Sequence, residues 1–173
     1  MSGISMVELN QNDIERAAEL EKLARVIWTE HYTPIIGSEQ VDYMLSKLQN
    51  ADSILRDICF NGYRYFMVYD GLEPVGYFAV KPESDRKALL LSKLYLHKDS
   101  RGRGISKLIL EKTRILAREG GMDHIVLFVN KHNSSVNIYK KLGFRIIEDL
   151  VTDIGDGYVM DDYKMRIDVL MDV

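Results

Sequence analysis

A short apolar run that leads through two closely spaced glycines into a helical pattern constrains this chain more than any other segment. Leu94, Tyr95 and Leu96 end the apolar run, and Gly102 and Gly104 follow before the helical pattern begins. Glycine lets the backbone turn tightly and approach a bulky ligand closely. The first amide groups of the helix have no partner within the helix, and they favour an anion such as phosphate. The segment therefore predicts a phosphate-binding turn between a strand and a helix.

The spacing of the glycines distinguishes between the kinds of phosphate-binding loop. The P-loop pattern Gly-x-x-x-x-Gly-Lys-Ser/Thr is absent from the chain. In the dinucleotide pattern Gly-x-Gly-x-x-Gly, the third glycine would fall on Lys107. Both mismatches disfavour a nucleotide-binding protein. A helix-capping loop without a ligand stays open as an alternative, because glycine is common in turns.

A second informative segment begins at Asn133 and contains Tyr139, Gly143 and Phe144. Asn133 or a following serine is a suitable N-cap, and glycine is common just past the end of a helix. The segment therefore predicts a short helix over residues 133–141.

Together, the two segments resemble the GNAT family of N-acetyltransferases. The family's pyrophosphate loop, Arg/Gln-x-x-Gly-x-Gly/Ala, is similar to residues 101–106, with Ser106 where glycine or alanine is usual. The family's pattern Asn-x-x-Ala-x-x-Tyr-x-x-x-Gly-Phe is similar to residues 133–144, with Val136 where alanine is usual. The resemblance extends over residues 60–147, and outside that range it rests on the general pattern.

The resemblance implies a fold and a cofactor. It implies an α+β fold of the acyl-CoA N-acyltransferase type, with helices on both faces of a mixed, mostly antiparallel sheet and two parallel strands that splay apart in its middle. In that fold, acetyl-CoA would place its pantetheine arm between the strands at residues 87–96 and 124–129. The implied cofactor-binding residues are Leu94, Tyr95, Leu96, Arg101, Gly102, Arg103, Gly104, Ile105, Ser106, Lys107, Asn133 and Tyr139.

The implied reaction is transfer of the acetyl group to a primary amine by direct attack of that amine. Tyr139 is the candidate general acid, because a phenol with a pKa of about 10 is protonated at neutral pH and can donate to a departing thiolate. Asn133 would either hydrogen-bond the pantetheine arm or cap its helix. A non-catalytic acyl-CoA sensor or interaction module is the alternative function, since residues 87–96 contain no carboxylate that would serve as a base.

The general base is not identified by the sequence. Ser92 lies roughly where a strand carboxylate would be expected, so ordered water or another side chain would remove the proton from the amine. The candidate side chains are Glu30, His31, His97, Asp161 and Asp162. The histidines show no spacing typical of a zinc site, so no metal is expected.

The acceptor amine is constrained only weakly. The segment over residues 28–34, with Trp28, His31 and Tyr32, joins the first two predicted helices, and in the resembled fold this region overhangs the acceptor. Aromatic rings beside carboxylates suit a cationic amine, and Tyr158 and Asp161 at the start of the last predicted strand add to that pattern. A polyamine-like molecule, another small amine and a peptide all remain open, and so does a purely structural role for these residues.

Composition sets the wider frame. With 173 residues, 46% hydrophobic and 28% charged, the chain suits one globular domain over residues 1–173. A net charge of -3 gives no reason to expect nucleic acid or an anionic membrane as a partner.

The single cysteine, Cys59, excludes an intramolecular disulfide and is expected to be a small buried hydrophobe. With neither a basic leader nor a long apolar run, a cytoplasmic location is expected, and a homodimer through the last strand is conceivable.

Periodicity and turn residues predict the remaining elements. The first helix is expected over residues 13–29, with Pro34 and Gly37 ending that region, and shorter helices are expected from Ser38 and over residues 53–60. Asp70 and Gly71 predict a hairpin. The predicted strands lie at 4–9, 63–69, 75–81, 87–96, 124–129, 144–147 and 158–169, and a helix lies at 104–118 with Ile105, Leu108, Ile109, Lys112, Ile115 and Leu116 on its inner side.

Overall fold

The computed structural model describes residues 3–169, and the chain divides into two compact units. One unit contains residues 3–81 and 93–109, and the other contains residues 82–92 and 110–169. The elements follow in the order β1 (Ile4–Glu8), α1 (Ile14–Ile36), α2 (Ser38–Leu48), α3 (Ala51–Phe60), β2 (Arg64–Asp70), β3 (Glu73–Pro82), β4 (Ala88–Leu96), α4 (Ile105–Glu119), β5 (His124–Asn130), α5 (Ser135–Lys141), β6 (Arg145–Gly155) and β7 (Tyr158–Asp168).

The strands form a seven-stranded mixed sheet in the order β1-β2-β3-β4-β5-β7-β6. The β4–β5 pair is parallel, whereas β1–β2, β2–β3, β5–β7 and β6–β7 are antiparallel. The expected mixed α+β fold with a mostly antiparallel sheet is therefore confirmed. Strand β4 belongs to both units, because its first half lies in the second unit and its second half in the first.

The first unit is built from amphipathic helices and a strongly apolar part of the sheet. One side of α1 is buried through Ala17, Leu20, Ala24 and Ile27, as the period of the sequence predicts. The helix does not end before Pro34, and this part of the prediction was wrong: α1 continues to Ile36 with Pro34 inside it. A proline in the last turn removes a single backbone donor, and that loss does not end a helix whose other side chains are already packed.

Within the second unit, the parallel ladder between β4 and β5 is short. It pairs Ala88 with His124 and Leu90 with Val126, and it does not continue to Leu91 and Ser92 although both strands extend further. On its other edge, β5 pairs with β7 along its full length, from His124 to Asn130. Within this unit, the parallel pairing of β4 is therefore confined to Ala88, Leu89 and Leu90.

Three local predictions were wrong. Strand β6 runs over Arg145–Gly155 rather than residues 144–147, because pairing with β7 and not burial holds its mostly exposed residues in strand conformation. Cys59 is exposed on α3, whose buried side chain is Ile54. On α4, Leu108 and Ile115 are 44% and 45% exposed, whereas Ile109, Thr113 and Ala117 are fully buried, so the inner stripe follows a spacing of four residues.

The absence of a side chain at Gly76 on β3 leaves the space that the end of β4 occupies. A Cβ atom at position 76 would lie 2.5 Å from the carbonyl oxygen of Tyr95 and 2.6 Å from Cδ2 of Leu96. Both distances are shorter than real contacts, and one partner is backbone, so the strands would have to separate. We expect Gly76→Ala to lower the free energy of unfolding by about 1–3 kcal/mol, measured by urea denaturation. Because Gly71 has a positive φ and no neighbour that a Cβ would meet, a loss no larger than that of Gly71→Ala would contradict this assignment.

Candidate functional site

The turn between β4 and α4 requires glycine because of its backbone conformation. Gly102 has φ 74° and Gly104 has φ 78°, a region that residues with a side chain adopt only at a cost. A Cβ atom at either position would meet no atom within 4 Å. The two glycines therefore bend the loop and leave open space above it, rather than making room for another part of the protein.

The backbone amides of this turn are available to a ligand. Among the described residues, none accepts a hydrogen bond from the backbone amides of residues 102–107, and the first donor in α4 is Leu108, which bonds to the carbonyl of Gly104 at 3.3 Å. Helix α4 has 15 residues and adds the positive end of its dipole at the same place. A curved row of unpartnered donors at a helix start is suited to bind a phosphate or diphosphate group.

The basic side chains around the turn are mostly engaged within the protein. Lys98 pairs with Glu30 at 3.7 Å, and Arg103 pairs with Asp70 at 2.7 Å. The side chain of Lys107, in contrast, has no ion-pair partner among residues 3–169. Carboxylates therefore neutralise part of the positive charge around the turn. The backbone amides are the main groups of the turn that can donate hydrogen bonds to an anion.

Arg101 links the end of β4 to α1. Its Nε atom donates to the carbonyl oxygen of Leu96 at 3.1 Å, and one terminal nitrogen lies 3.3 Å from Nδ1 of His31. The ring of His31 lies edge-on to the ring of Tyr32, with centroids 4.8 Å apart. The structure thus brings His31 and Tyr32, which the sequence suggested for the acceptor, beside the first residue of the predicted loop.

An aromatic cluster surrounds Tyr95 on β4. Its ring centroid lies 5.1 Å from Trp28, 5.3 Å from Tyr77 and 5.9 Å from Tyr32. A buried hydrogen-bond chain fixes part of the cluster, since Trp28 Nε1 donates to the Tyr77 hydroxyl and that hydroxyl donates to Gln49, each over 2.9 Å. Trp28, Tyr32 and Tyr95 therefore form one aromatic wall at the end of β4, in which Trp28 is buried and Tyr32 and Tyr95 are half-buried.

Lys93 is a candidate functional residue that was not predicted from the sequence. It lies on β4, and its ammonium nitrogen is 5.2 Å from the ring centroid of Tyr63 and 5.5 Å from that of Tyr65. Burial among these rings lowers the pKa of Lys93 to about 8, although Asp57 acts in the opposite direction. The available signal was a lysine inside an otherwise apolar strand, but its surroundings come from elements distant in the sequence.

In the second unit, Asn133 and Tyr139 are held by the short helix α5. Asn133 is 5% exposed, and its Oδ1 atom accepts a hydrogen bond from the Ser135 amide at 2.9 Å. Tyr139 is half-buried; its ring lies edge-on to Phe144 at 5.7 Å, and its carbonyl accepts from the Phe144 amide at 3.0 Å. Gly143 permits this turn with φ 105°. The Gly143–Phe144 step therefore fixes the surroundings of the Tyr139 ring.

The carboxylates at the start of β7 do not form one cluster. Lys131 pairs with Asp161 at 2.7 Å and also contacts Asp149. Side chains alternate along a strand, so Tyr158 shares a face of β7 with Asp162 and not with Asp161. Asp161 is therefore already neutralised by a lysine, which weakens its suggested role in attracting a cationic amine.

Asp162 is a buried carboxyl whose pKa is raised to about 6, first by burial and then by the charge of Asp161. Because its pKa is higher in the folded state than in the unfolded state, folding favours the protonated form, and stability is lost as the pH rises from about 4 through 6. We expect Asp162→Asn to add about 1–3 kcal/mol of stability above pH 6 and nothing below pH 4. Thermal unfolding measured across this pH range would test it, and a gain independent of pH would contradict it.

Residues 3–169 contain no group of three or more His, Cys, Asp or Glu side chains arranged to hold a metal ion. None of the helices in that range is long and apolar enough to cross a membrane.

Comparisons with known proteins agree with this geometry. A family model described as acetyltransferase (GNAT) domain matches residues 32–166. An uncharacterized N-acetyltransferase encoded in the pepI 3' region of Lactobacillus delbrueckii subsp. lactis is 26% identical over 169 residues, which cover 93% of this chain and 95% of that protein.

Solved structures share the fold over nearly the whole chain. The paiA N-acetyltransferase of Thermoplasma acidophilum, in complex with coenzyme A, has a TM-score of 0.78 at 22% identity and covers 96% of this chain and 99% of its own. A spermidine N-acetyltransferase of Vibrio cholerae has a TM-score of 0.64 at 17% identity and covers 96% and 94%. Because the family model spans most of the sequence, this chain belongs to the GNAT acetyltransferase family.

Proposed function

We propose that this protein is an acetyl-CoA-dependent N-acetyltransferase that transfers the acetyl group to a primary amine of a small molecule or a peptide. The observation that carries the proposal is the turn between β4 and α4, where two glycines with positive φ present unpartnered amides at a helix start. Membership of the acetyltransferase family and the coenzyme A complex of a structural relative support the same cofactor. The non-catalytic sensor has no comparable observation in its favour.

The residues of the turn fit the diphosphate of coenzyme A. The amides of residues 102–107 would bind its oxygens, and the ammonium group of Lys107 would add a charge-assisted contact. Strand β4 would align the pantetheine arm through the backbone of Leu94, Tyr95 and Leu96 at its end. The cofactor supplies the acetyl group as a thioester.

Protons move at both reacting atoms. The ammonium group of the acceptor must lose one proton before its nitrogen attacks the thioester carbon and a second as the amide forms, and the sulfur gains one after the carbon–sulfur bond breaks. Tyr139 is the proposed proton donor to the sulfur. A phenol is protonated at neutral pH, and its hydroxyl can donate a hydrogen bond or a proton to a thiolate. Direct attack needs no covalent intermediate on the protein.

The aromatic wall formed by Trp28, Tyr32 and Tyr95 is the proposed contact for the apolar part of the acceptor. Flat, rigid rings bury large areas at a low cost in conformational entropy, and they suit an alkyl chain or a ring beside the reacting amine. Tyr158 and His31 stay proposed contacts. A polyamine remains one candidate acceptor, supported by the spermidine N-acetyltransferase among the structural relatives.

The proposal is tested by incubating the purified protein with acetyl-CoA and a panel of amines. Spermidine, an amino-acid amide, an aminoglycoside and a short peptide with a free N-terminus cover the acceptor classes. Mass spectrometry should show a mass gain of one acetyl group on at least one amine, with no gain in the absence of protein. Thermal stabilisation by coenzyme A but not by NAD or ATP should accompany it. Stabilisation by the nucleotides alone would overturn the proposed cofactor.

A further inference from the structure

The base that accepts the proton from the acceptor is the missing part of the proposed reaction. Three of the candidates from the sequence are engaged elsewhere. Glu30 pairs with Lys98, and Asp161 pairs with Lys131. His97 uses Nδ1 to accept the backbone amide of Asp99 at 3.3 Å. Each would have to give up an existing partner before it took a proton from the amine.

Lys93 is in a different situation. Its ammonium group has no salt bridge or hydrogen bond with any of the residues that the structure describes, and its contacts are the faces of Tyr63 and Tyr65. The nearest carboxylate that acts on it, Asp57, accepts hydrogen bonds from the Tyr65 hydroxyl at 3.2 Å and from Asn61 Nδ2 at 2.9 Å. Lys93 is therefore a partly buried amine without a counter-ion.

The position of Lys93 on β4 relates it to the proposed acceptor wall. Alternation along the strand puts Lys93 and Tyr95 on the same face, about 7 Å apart along the backbone. Tyr95 contacts Tyr77, Trp28 and Tyr32. An amine that packs on this wall with its nitrogen beside the middle of β4 would meet the side chain of Lys93.

We propose that Lys93 is the general base of the reaction, a role that rests on the proposed acetyltransferase function. The neutral amine of Lys93 takes a proton from the ammonium group of the acceptor and becomes an ammonium group itself. The freed lone pair of the acceptor then forms the carbon–nitrogen bond as the carbon–sulfur bond breaks, and the sulfur leaves as a thiolate that takes its proton from Tyr139. The new amide nitrogen releases its second proton to solvent, and the ionised Tyr139 takes a proton back from solvent. Lys93 returns the proton to solvent at the end of the cycle.

The charges around Lys93 agree with this role. Tyr63, just before β2, and Tyr65 on β2 shield it from water, which disfavours the charged form. Lys81 on β3 lies over the same Tyr63 ring at 4.9 Å, and Asp57 on α3 favours the charged form of Lys93. With a pKa of about 8, about a tenth of Lys93 is uncharged at pH 7. A base works best when its pKa is near the working pH.

The test compares Lys93→Met with the wild-type enzyme on two acceptors of different basicity. For an ordinary alkylamine that the wild type accepts, we expect kcat/KM to fall about 10²-fold. The rise of kcat/KM with pH near 8 should also disappear. For 2,2,2-trifluoroethylamine, whose nitrogen is already neutral at pH 7, we expect little loss, because no proton has to be removed first. Lys93→Arg keeps the charge but cannot deprotonate, so it should not rescue the alkylamine reaction.

The controls separate this role from a structural one. Lys87→Met changes an exposed lysine just before the same strand and should leave both reactions unchanged. Unchanged stabilisation by coenzyme A would show that Lys93→Met still folds and binds its cofactor. An equal loss for both amines, or rescue by Lys93→Arg, would overturn the base role while leaving the acetyltransferase intact. Absence of any acetyl transfer by the wild type would instead refute the proposed function itself.

Discussion

Tyr139→Phe is expected to lower kcat for acetyl transfer by about 10²-fold, the lower end of what a positioned general acid contributes. The substitution removes one hydroxyl and leaves the ring that packs edge-on to Phe144 at 5.7 Å. The thiolate of coenzyme A would then leave without a proton from the protein. Because the hydroxyl acts as the bond breaks, kcat and kcat/KM should fall together, while the affinity for acetyl-CoA changes little. Steady-state kinetics with varied acetyl-CoA would measure both quantities.

Tyr43→Phe provides the matched control, since it removes a tyrosine hydroxyl on α2, outside the proposed machinery. That variant should keep wild-type turnover. Equal turnover by the wild type and Tyr139→Phe would remove Tyr139 from the mechanism.

The parts of the structure that the sequence predicts well are those fixed by local backbone geometry. Gly102, Gly104 and Gly143 all have positive φ, and the spacing of these glycines was sufficient to predict the loop and the end of α5. The apolar periodicity of α1 and α2 likewise reflects burial of one helix face. In both cases the signal lies within a few residues, so it can be read without knowledge of the tertiary structure.

The missed features depend on contacts between distant residues. Helix α1 continues past Pro34 because its other residues are packed, and β6 persists over exposed residues because β7 supplies its hydrogen bonds. Lys93 gains its unusual environment from Tyr63, Tyr65 and Asp57, which belong to other elements. No pattern of neighbouring residues carries that information.

The same distinction applies to the acceptor. Aromatic residues beside carboxylates suggested a cationic amine, but the structure pairs Glu30 with Lys98 and Asp161 with Lys131. Neutralised carboxylates attract a cation only weakly. The aromatic residues of the predicted acceptor region do lie together in the structure. The carboxylates expected to attract the cation, in contrast, are already paired with lysines. The acceptor panel should therefore include amines with a single positive charge and an apolar body. A cytoplasmic location and a homodimer stay predictions of the sequence.

The second large effect is expected at the turn that carries the proposed function. Gly104→Ala is expected to weaken coenzyme A binding by about 10²-fold, measured by calorimetry, since φ near 78° costs an alanine about 1–2 kcal/mol and relaxation of that strain would displace the donors of the turn. The added methyl group would also occupy the open space in which the diphosphate is proposed to lie.

Gly121, just past the other end of α4, distinguishes the effect of backbone strain alone from a loss of contacts at the turn itself. Its φ is 71°, and a Cβ there would also meet nothing within 4 Å, so Gly121→Ala imposes a similar backbone strain away from the turn. Both variants should lose similar amounts of stability, but only Gly104→Ala should lose affinity for coenzyme A. Because the lost contacts are to a charged diphosphate, the difference in affinity should shrink as the salt concentration rises. If both variants bound coenzyme A equally well, the amides of the turn would not be its binding site, and the proposed cofactor would lose its main physical support.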